Sequence, residues 1–194
     1  MNPALLVIDV QNIYTNKKSE LFCADSKATV KRINQIIDSF EKKKLPILYV
    51  RHVHKVDGSD LGRMFDFAGP AEDFNFKDNS TEVEYDKNLK IVKSSLEFKK
   101  NRYSAFIGTD LDTYLKKKNV ETLVIVGFMT NFCCESTARD AHDMDYFIDF
   151  ITDATGAPAL SNKLNEEAIR KSVSEFLAAG YAQVFSTKDY LKNI

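Results

Sequence analysis

The chain has 194 residues, with 27 Lys plus Arg against 28 Asp plus Glu and a formal net charge of −1. That balance speaks against a nucleic-acid or anionic-membrane partner, and the length suits one domain spanning residues 1–194 around a single core. No apolar run reaches the ~18 residues of a membrane span. No secretory leader pattern opens the chain, and three cysteines, two of them adjacent, make a poor disulfide framework, so a cytoplasmic protein is expected.

The first element is the apolar run Ala4-Leu5-Leu6-Val7-Ile8, read as a strand buried on both faces, as in a parallel sheet. Val30, Ile33, Ile37 and Phe40 recur at helical spacing and predict a helix over 27–43. Pro46 to Val50 is a second strand, completing a βαβ unit. Residues 53–86 carry Gly58, Gly62, Gly69, Pro70 and many aspartates, with Phe65, Phe67 and Phe74 among them. They read as an irregular excursion with one short helix, of the kind that forms lids or pocket walls. Short strands are expected at 90–92 and 97–98, and a helix at 109–118 with Asp110 favouring its N-terminus.

Glu121 to Val126 is a further buried strand. It leads through Gly127-Phe128-Met129-Thr130-Asn131-Phe132-Cys133-Cys134 into a helix. A strand at 146–151, a helix at 163–179 with Gly180 as its C′ residue, a strand at 181–185 and a short terminal helix follow. The alternation predicts an α/β three-layer sandwich with a mainly parallel, Rossmann-like central sheet flanked by helices. The lysine runs at 42–44, 99–100 and 116–118 read as solvated helix ends or loops.

Ligands of open parallel sheets bind beyond the C-terminal ends of the strands. Asp9 ends the first strand and Cys133 lies just past the strand ending at Val126, so the two can meet at one sheet edge. A helix N-terminus and a lysine lower a thiol pKa from ~8.5 into the ~3.5–7.5 range, and a carboxylate can take its proton. Two plainer readings stand beside this one. In these, Asp9 is a strand-end residue bonded to a loop, and Cys133 is a small buried apolar group.

The stretch from Gly127 to Cys133, with Thr137-Ala138-Arg139-Asp140-Ala141, resembles the signature of the isochorismatase-like cysteine hydrolases. Leu5-Leu6-Val7-Ile8-Asp9-Val10-Gln11-Asn12 resembles the opening strand of that family. Lys100-Asn101-Arg102-Tyr103-Ser104-Ala105-Phe106 resembles its lysine segment. Asp153-Ala154-Thr155 and Ala168 also fit. The resemblance implies a cofactor-free triad in which Cys133 attacks, Asp9 takes its proton, and Lys100 stabilises the thiolate and orients the carboxylate. It implies a cis peptide between Phe128 and Met129, with the backbone N–H groups of Met129 and Cys133 forming an oxyanion hole. The reaction implied is hydrolysis of an amide, ureide or carbamoyl C–N bond through a thioester, and the assembly implied is a homodimer or homotetramer. The spacing to Arg102 selects Lys100 over Lys99 and Lys93. In the family the cysteine lies six residues after the glycine that ends the strand, which implies Cys133 rather than Cys134. Cys134 shares a helix face with Ala138 and Ala141 and suits the core. Cys23 is read as incidental, in a polar loop.

Nicotinamidases within this resemblance bind a divalent metal through an aspartate and histidines after the second strand. Here His52 stands where that aspartate would be and His54 matches a histidine, with Asp57 nearby. The set is incomplete, so no metal is expected. Gln11, Tyr14, His52, Tyr103 and Phe132 are expected to line the substrate pocket, with Phe65 or Phe67 from the excursion. The presence of Cys133 argues against a true isochorismatase. The alternatives are a non-catalytic metabolite-binding or thiol redox-sensing member, and a nicotinamidase with altered metal ligands.

Overall fold

The computed structural model describes residues 2–66 and 74–194. Phe67, Gly69 and Pro70 lie outside the described residues. Six strands form one all-parallel sheet: β1 (Pro3–Ile8), β2 (Ile47–His52), β3 (Leu96–Lys100), β4 (Thr122–Phe128), β5 (Phe147–Gly156) and β6 (Gln183–Phe185), in the spatial order β3-β2-β1-β4-β5-β6. The helices are α1 (Asn12–Thr15), α2 (Ser26–Lys42), α3 (Leu111–Lys117), α4 (Glu135–Asp143), α5 (Glu166–Ala178) and α6 (Thr187–Asn193). Helices α2 and α6 pack together against the sheet, and α4 and α5 do the same as a second pair. Among the described residues no helix is long and apolar enough to cross a membrane.

The apolar runs explain the layering. Every residue of β1 from Ala4 to Ile8 is wholly buried, because β1 and β4 occupy the middle of the sheet with helices above and below. The helical spacing at Val30, Ile33, Ile37 and Phe40 marks the buried stripe of α2, to which Ile36 is added.

The strand order reverses between β1 and β4. From β1 the chain moves outward to β2, and from β4 it moves the other way to β5 and β6. Such a switch point opens a crevice at the carboxyl ends of the two central strands. The register pairs Ile8 with Gly127, so Asp9 and Phe128 emerge side by side. Gly127 is required there. Its φ is +125°, and a Cβ would lie 1.9 Å from the Ile8 carbonyl oxygen.

The structure corrects several boundaries. Residues 90–92 are not a strand. Their backbone is satisfied by side chains instead: the Asn34 Oδ1 accepts the Lys90 N–H, and the Tyr49 hydroxyl donates to the Lys90 carbonyl. Strand β5 runs on to Gly156, pairing Thr155 and Gly156 with Gly127 and Phe128 past a register shift that leaves extra residues on the β5 side. Asn165 caps α5 by accepting the Ala168 N–H, which fixes its start at Glu166. Gly180 does not adopt a left-handed φ. The helix ends instead with the Tyr181 and Ala182 N–H groups both on the Leu177 carbonyl, which delays β6 to Gln183. Within the excursion a 3-10 turn forms at Thr81–Val83.

Candidate active site

Three segments distant in sequence meet at the crevice. Asp9 leaves β1 with a left-handed φ of 50°, an uncommon conformation for a residue with a side chain. Lys100 ends β3, buried where Lys99 beside it is exposed. Cys133 lies in a π-helical turn, Thr130–Cys134, that runs directly into α4. The Phe128–Met129 peptide before that turn is cis.

The Lys100 ammonium joins the three. Its Nζ lies 2.8 Å from Asp9 Oδ2 as an ion pair, and it donates to Cys133 Sγ at 3.2 Å and to the Arg102 carbonyl at 2.9 Å. These contacts match the three donors of an ammonium. All three side chains are closed to solvent. The Asp9 carboxylate is held chiefly by the Lys100 ion pair, with the Cys133 thiol and the His52 backbone N–H also close enough to favour its charge.

Burial dominates the electrostatics. It raises the Asp9 pKa, against the lowering effect of Lys100. It pushes the Cys133 thiol up to about 12, with Lys100 pulling down and Asp9 pushing up. Desolvation therefore opposes the pKa-lowering environment expected from a helix terminus and a lysine. Burial acts against the Lys100 charge, but Asp9 and Cys133 outweigh it and the pKa is raised. Cys134 is fully buried and its thiol is raised well above the ordinary range by burial. Cys23 lies in the loop between α1 and α2, as read, but it is wholly buried there, and the Tyr14 carbonyl accepts its N–H.

A cavity of about 340 Å³ opens onto Cys133. Tyr14, His52, Phe65, Tyr103 and Phe132 line it, as does Met129. Tyr103 and Phe132 meet at 5.0 Å, and Tyr14 stacks on Phe128 at 5.4 Å. Gln11 does not line it. The Gln11 side chain donates to the His52 and Val83 carbonyls and accepts the His52 N–H, bracing the strand end from behind.

The residues do not fit the metal set of a nicotinamidase. Asp57 is exposed and its carboxylate accepts the Ser59 N–H. The Nε2 atoms of His52 and His54 face each other at 3.0 Å, and His54 Nδ1 faces Asp60 Oδ1 at 3.3 Å. Among the described residues, three potential ligand atoms approach within 4.8 Å of one another at Asp9, His52 and Cys133. The Lys100 ammonium already contacts two of those groups, where a second cation would be repelled.

Several supporting residues carry little signal in the sequence. The Thr137 hydroxyl donates to the Cys133 carbonyl at 2.6 Å and accepts the Ala105 N–H at 3.0 Å, tying the cysteine turn to the lysine segment. Its only local sign is the i+4 spacing from Cys133. Arg102 reaches back to the Asp60 carbonyl at 2.9 Å. Phe76 stacks on His52 at 4.3 Å and 12°.

An isochorismatase domain model matches residues 3–187. Nicotinamidase 3 of Arabidopsis thaliana is 30% identical over 181 residues, covering 92% of this chain and 82% of the relative. The ureidoacrylate amidohydrolase RutB of Rhizobium rhizogenes is 25% identical, covering 78% of this chain and 69% of the relative. A cysteine hydrolase structure from Pseudomonas syringae pv. phaseolicola 1448A superposes with a TM-score of 0.89 at 25% identity, covering 98% of this chain and 91% of that one. An N-carbamoylsarcosine amidase structure from Thermoplasma acidophilum shares the fold at a TM-score of 0.78 and 23% identity, covering 96% and 97%. The sheet order, the crevice at its switch point and the domain match agree over nearly the whole chain, and the protein belongs to the isochorismatase family.

Proposed function

We propose that the protein is a cysteine-dependent hydrolase that cleaves a C–N bond of a small amide, ureide or carbamoyl compound through a thioester. The observation that carries this reading is one buried ammonium in contact with both a carboxylate and a thiol in the wall of a ligand-sized cavity. The names of the relatives point to the same bond class: a nicotinamidase, a ureidoacrylate amidohydrolase and an N-carbamoylsarcosine amidase.

Cys133 starts as a thiol, so attack and deprotonation are coupled. The Asp9 carboxylate, made more basic by burial, takes the S–H proton as the sulfur lone pair forms the C–S bond. Lys100 holds Asp9 before the step and faces the sulfur as negative charge passes to the substrate oxygen. The Met129 and Cys133 N–H groups are assigned to that oxyanion. Collapse breaks the C–N bond, and Asp9 returns its proton to the leaving nitrogen. Water then attacks the thioester with Asp9 again as base, which releases the acid and restores the thiol.

A redox-sensing role fits less well, because sensor thiols are accessible and of low pKa, and Cys133 is neither. The test is an ammonia-release screen over small amides, ureides and carbamates, nicotinamide included, on wild type and Cys133→Ala. Turnover by wild type that the variant loses supports the mechanism. Full activity in the variant overturns it.

A further inference from the structure

His52 shares the cavity with Cys133, yet the reaction above gives it no part. Its surroundings determine where its protons sit. The Asp60 Oδ1 accepts the Lys55 N–H at 3.0 Å, and Oδ2 accepts from Asn101 Nδ2 at 3.2 Å. Desolvation opposes ionisation of Asp60, but Asn101, the Lys55 N–H and His54 outweigh it and lower its pKa, so it is a carboxylate and can only accept. His54 Nδ1, 3.3 Å away, must then carry hydrogen. Burial keeps His54 neutral, so its Nε2 bears a lone pair. His52 Nε2 faces that lone pair at 3.0 Å and must donate. His52 is neutral too, through burial and the nearby Lys100 charge, which leaves its Nδ1 as an acceptor.

That Nδ1 is buried and has no partner, while every other polar atom of His52 is engaged. Stacking on Phe76 fixes the ring plane. A ring nitrogen of His52, an Asp9 oxygen and Cys133 Sγ lie within 4.8 Å of one another. A carbonyl carbon poised for attack sits ~3–3.5 Å from the sulfur, and its amide nitrogen is one bond of ~1.33 Å further. An amide N–H turned toward the His52 ring can therefore come within hydrogen-bond reach of it.

We propose that His52, held as a neutral acceptor by the His52–His54–Asp60 chain, receives an N–H of the substrate through Nδ1 and selects primary amides and carbamoyl compounds over esters. The proposal rests on the hydrolase reading above. Esters of the same acyl group leave the acceptor unpaired, and a site built to hydrogen-bond an N–H discriminates against analogues that lack it. The carboxylate product has no N–H to offer and is released.

Two measurements test this, one independent of turnover. The chain has three histidines, so ring-¹⁵N-labelled Cys133→Ala protein gives a spectrum simple enough to assign. The expected result is an Nε2–H tautomer at His52 whose bare Nδ1 resonance shifts with benzamide and not with methyl benzoate. A protonated Nδ1, or one unmoved by benzamide, overturns the proposal. In the kinetic arm, His52→Phe lowers kcat/KM for the best amide of the screen roughly 10- to 100-fold and for its methyl ester by less than about threefold. Equal losses on both indicate a merely structural role and overturn it. A wild-type chain that hydrolyses no amide defeats the hydrolase reading alone, and the tautomer and benzamide shift still decide the role of His52.

Discussion

Lys100 and Asp9 form an ion pair of 2.8 Å with neither side chain exposed to solvent. Two charges taken out of water are tolerable only together, and removal of one strands the other at a cost of about 3–5 kcal/mol. Lys100→Met and Asp9→Asn are each expected to destabilise by about that amount. The double variant is expected to be more stable than the sum of the single losses, by at least ~1 kcal/mol. Urea denaturation of the four proteins completes the cycle, and strict additivity contradicts the coupling.

Cys133→Ala removes the attacking atom and a contact to Lys100 without adding volume. Turnover is expected to fall by at least ~10³-fold, with the unfolding midpoint shifted by only a few degrees. Ammonia release and a thermal scan on the same preparation separate chemistry from folding.

The thiol pKa of about 12 makes a prediction that a preformed thiolate would not. Iodoacetamide labelling of Cys133, followed by mass spectrometry, is expected to be slow at pH 7.5 and to rise about tenfold per pH unit up to pH 10. A plateau near neutrality would show an ion-paired thiolate instead. Asp9 must be ionised to act as base, and burial raises its pKa. Activity should therefore fall on acidification through that raised value, at higher pH than for an exposed aspartate. The stability term of Asp9 has the opposite sign. The fold binds the proton more tightly than the unfolded chain, so this term weakens as pH rises through the same window.

Asp149 on β5 is lifted to about 6 by burial, and among the described residues it has no ion pair. Its folded pKa exceeds the unfolded value of 3.8, so its ionisation costs stability between those two pH values and above. Asp149→Asn is expected to stabilise the protein at pH 7.5 by up to about 1 kcal/mol, after allowance for solvent screening of this half-exposed group, and by less at pH 4.5. Melting temperatures at the two pH values give the comparison.

Gly127→Ala places a methyl group 1.9 Å from the Ile8 carbonyl oxygen at a φ of +125°. No flexible neighbour can yield, because the obstacle is the backbone of the central strand. The expected cost exceeds ~4 kcal/mol, visible as loss of soluble protein or of the cooperative transition.

Much of the fold was legible because it follows from short-range pattern. The runs at Ala4–Ile8 and Thr122–Val126 are wholly or almost wholly buried, as continuous apolar strands of a parallel sheet should be. The stripe of α2 at Val30, Ile33, Ile37 and Phe40 was equally clear. Where side chains from elsewhere satisfied the backbone, pattern misled. Tyr49 and Asn34 hold residues 90–92 out of the sheet, and the Thr155 and Gly156 extension of β5 exists because β4 offers a partner there.

The same division holds at the candidate site. Asp9 and Cys133 were visible because each closes or follows a strand, and Lys100 only through the resemblance of its segment to the family. Their environment was not visible. The Cys133 thiol is raised rather than lowered, because desolvation is a property of everything packed around the sulfur and not of the helix it begins. Gln11 was expected to line the pocket, yet its side chain bonds to the backbone of His52 in β2.

Local chemistry was enough to specify most strands and helices, because propensity, periodicity and spacing act over a few residues, and the candidate site residues were marked by the resemblance to the family. Only the folded chain decided that Lys100 touches both Asp9 and Cys133, and that His52 is turned into an acceptor by His54 and Asp60. Proton positions and pKa values are set by through-space contacts and excluded water, and segments as far apart as β1, β3 and the turn after β4 must be packed together before either exists.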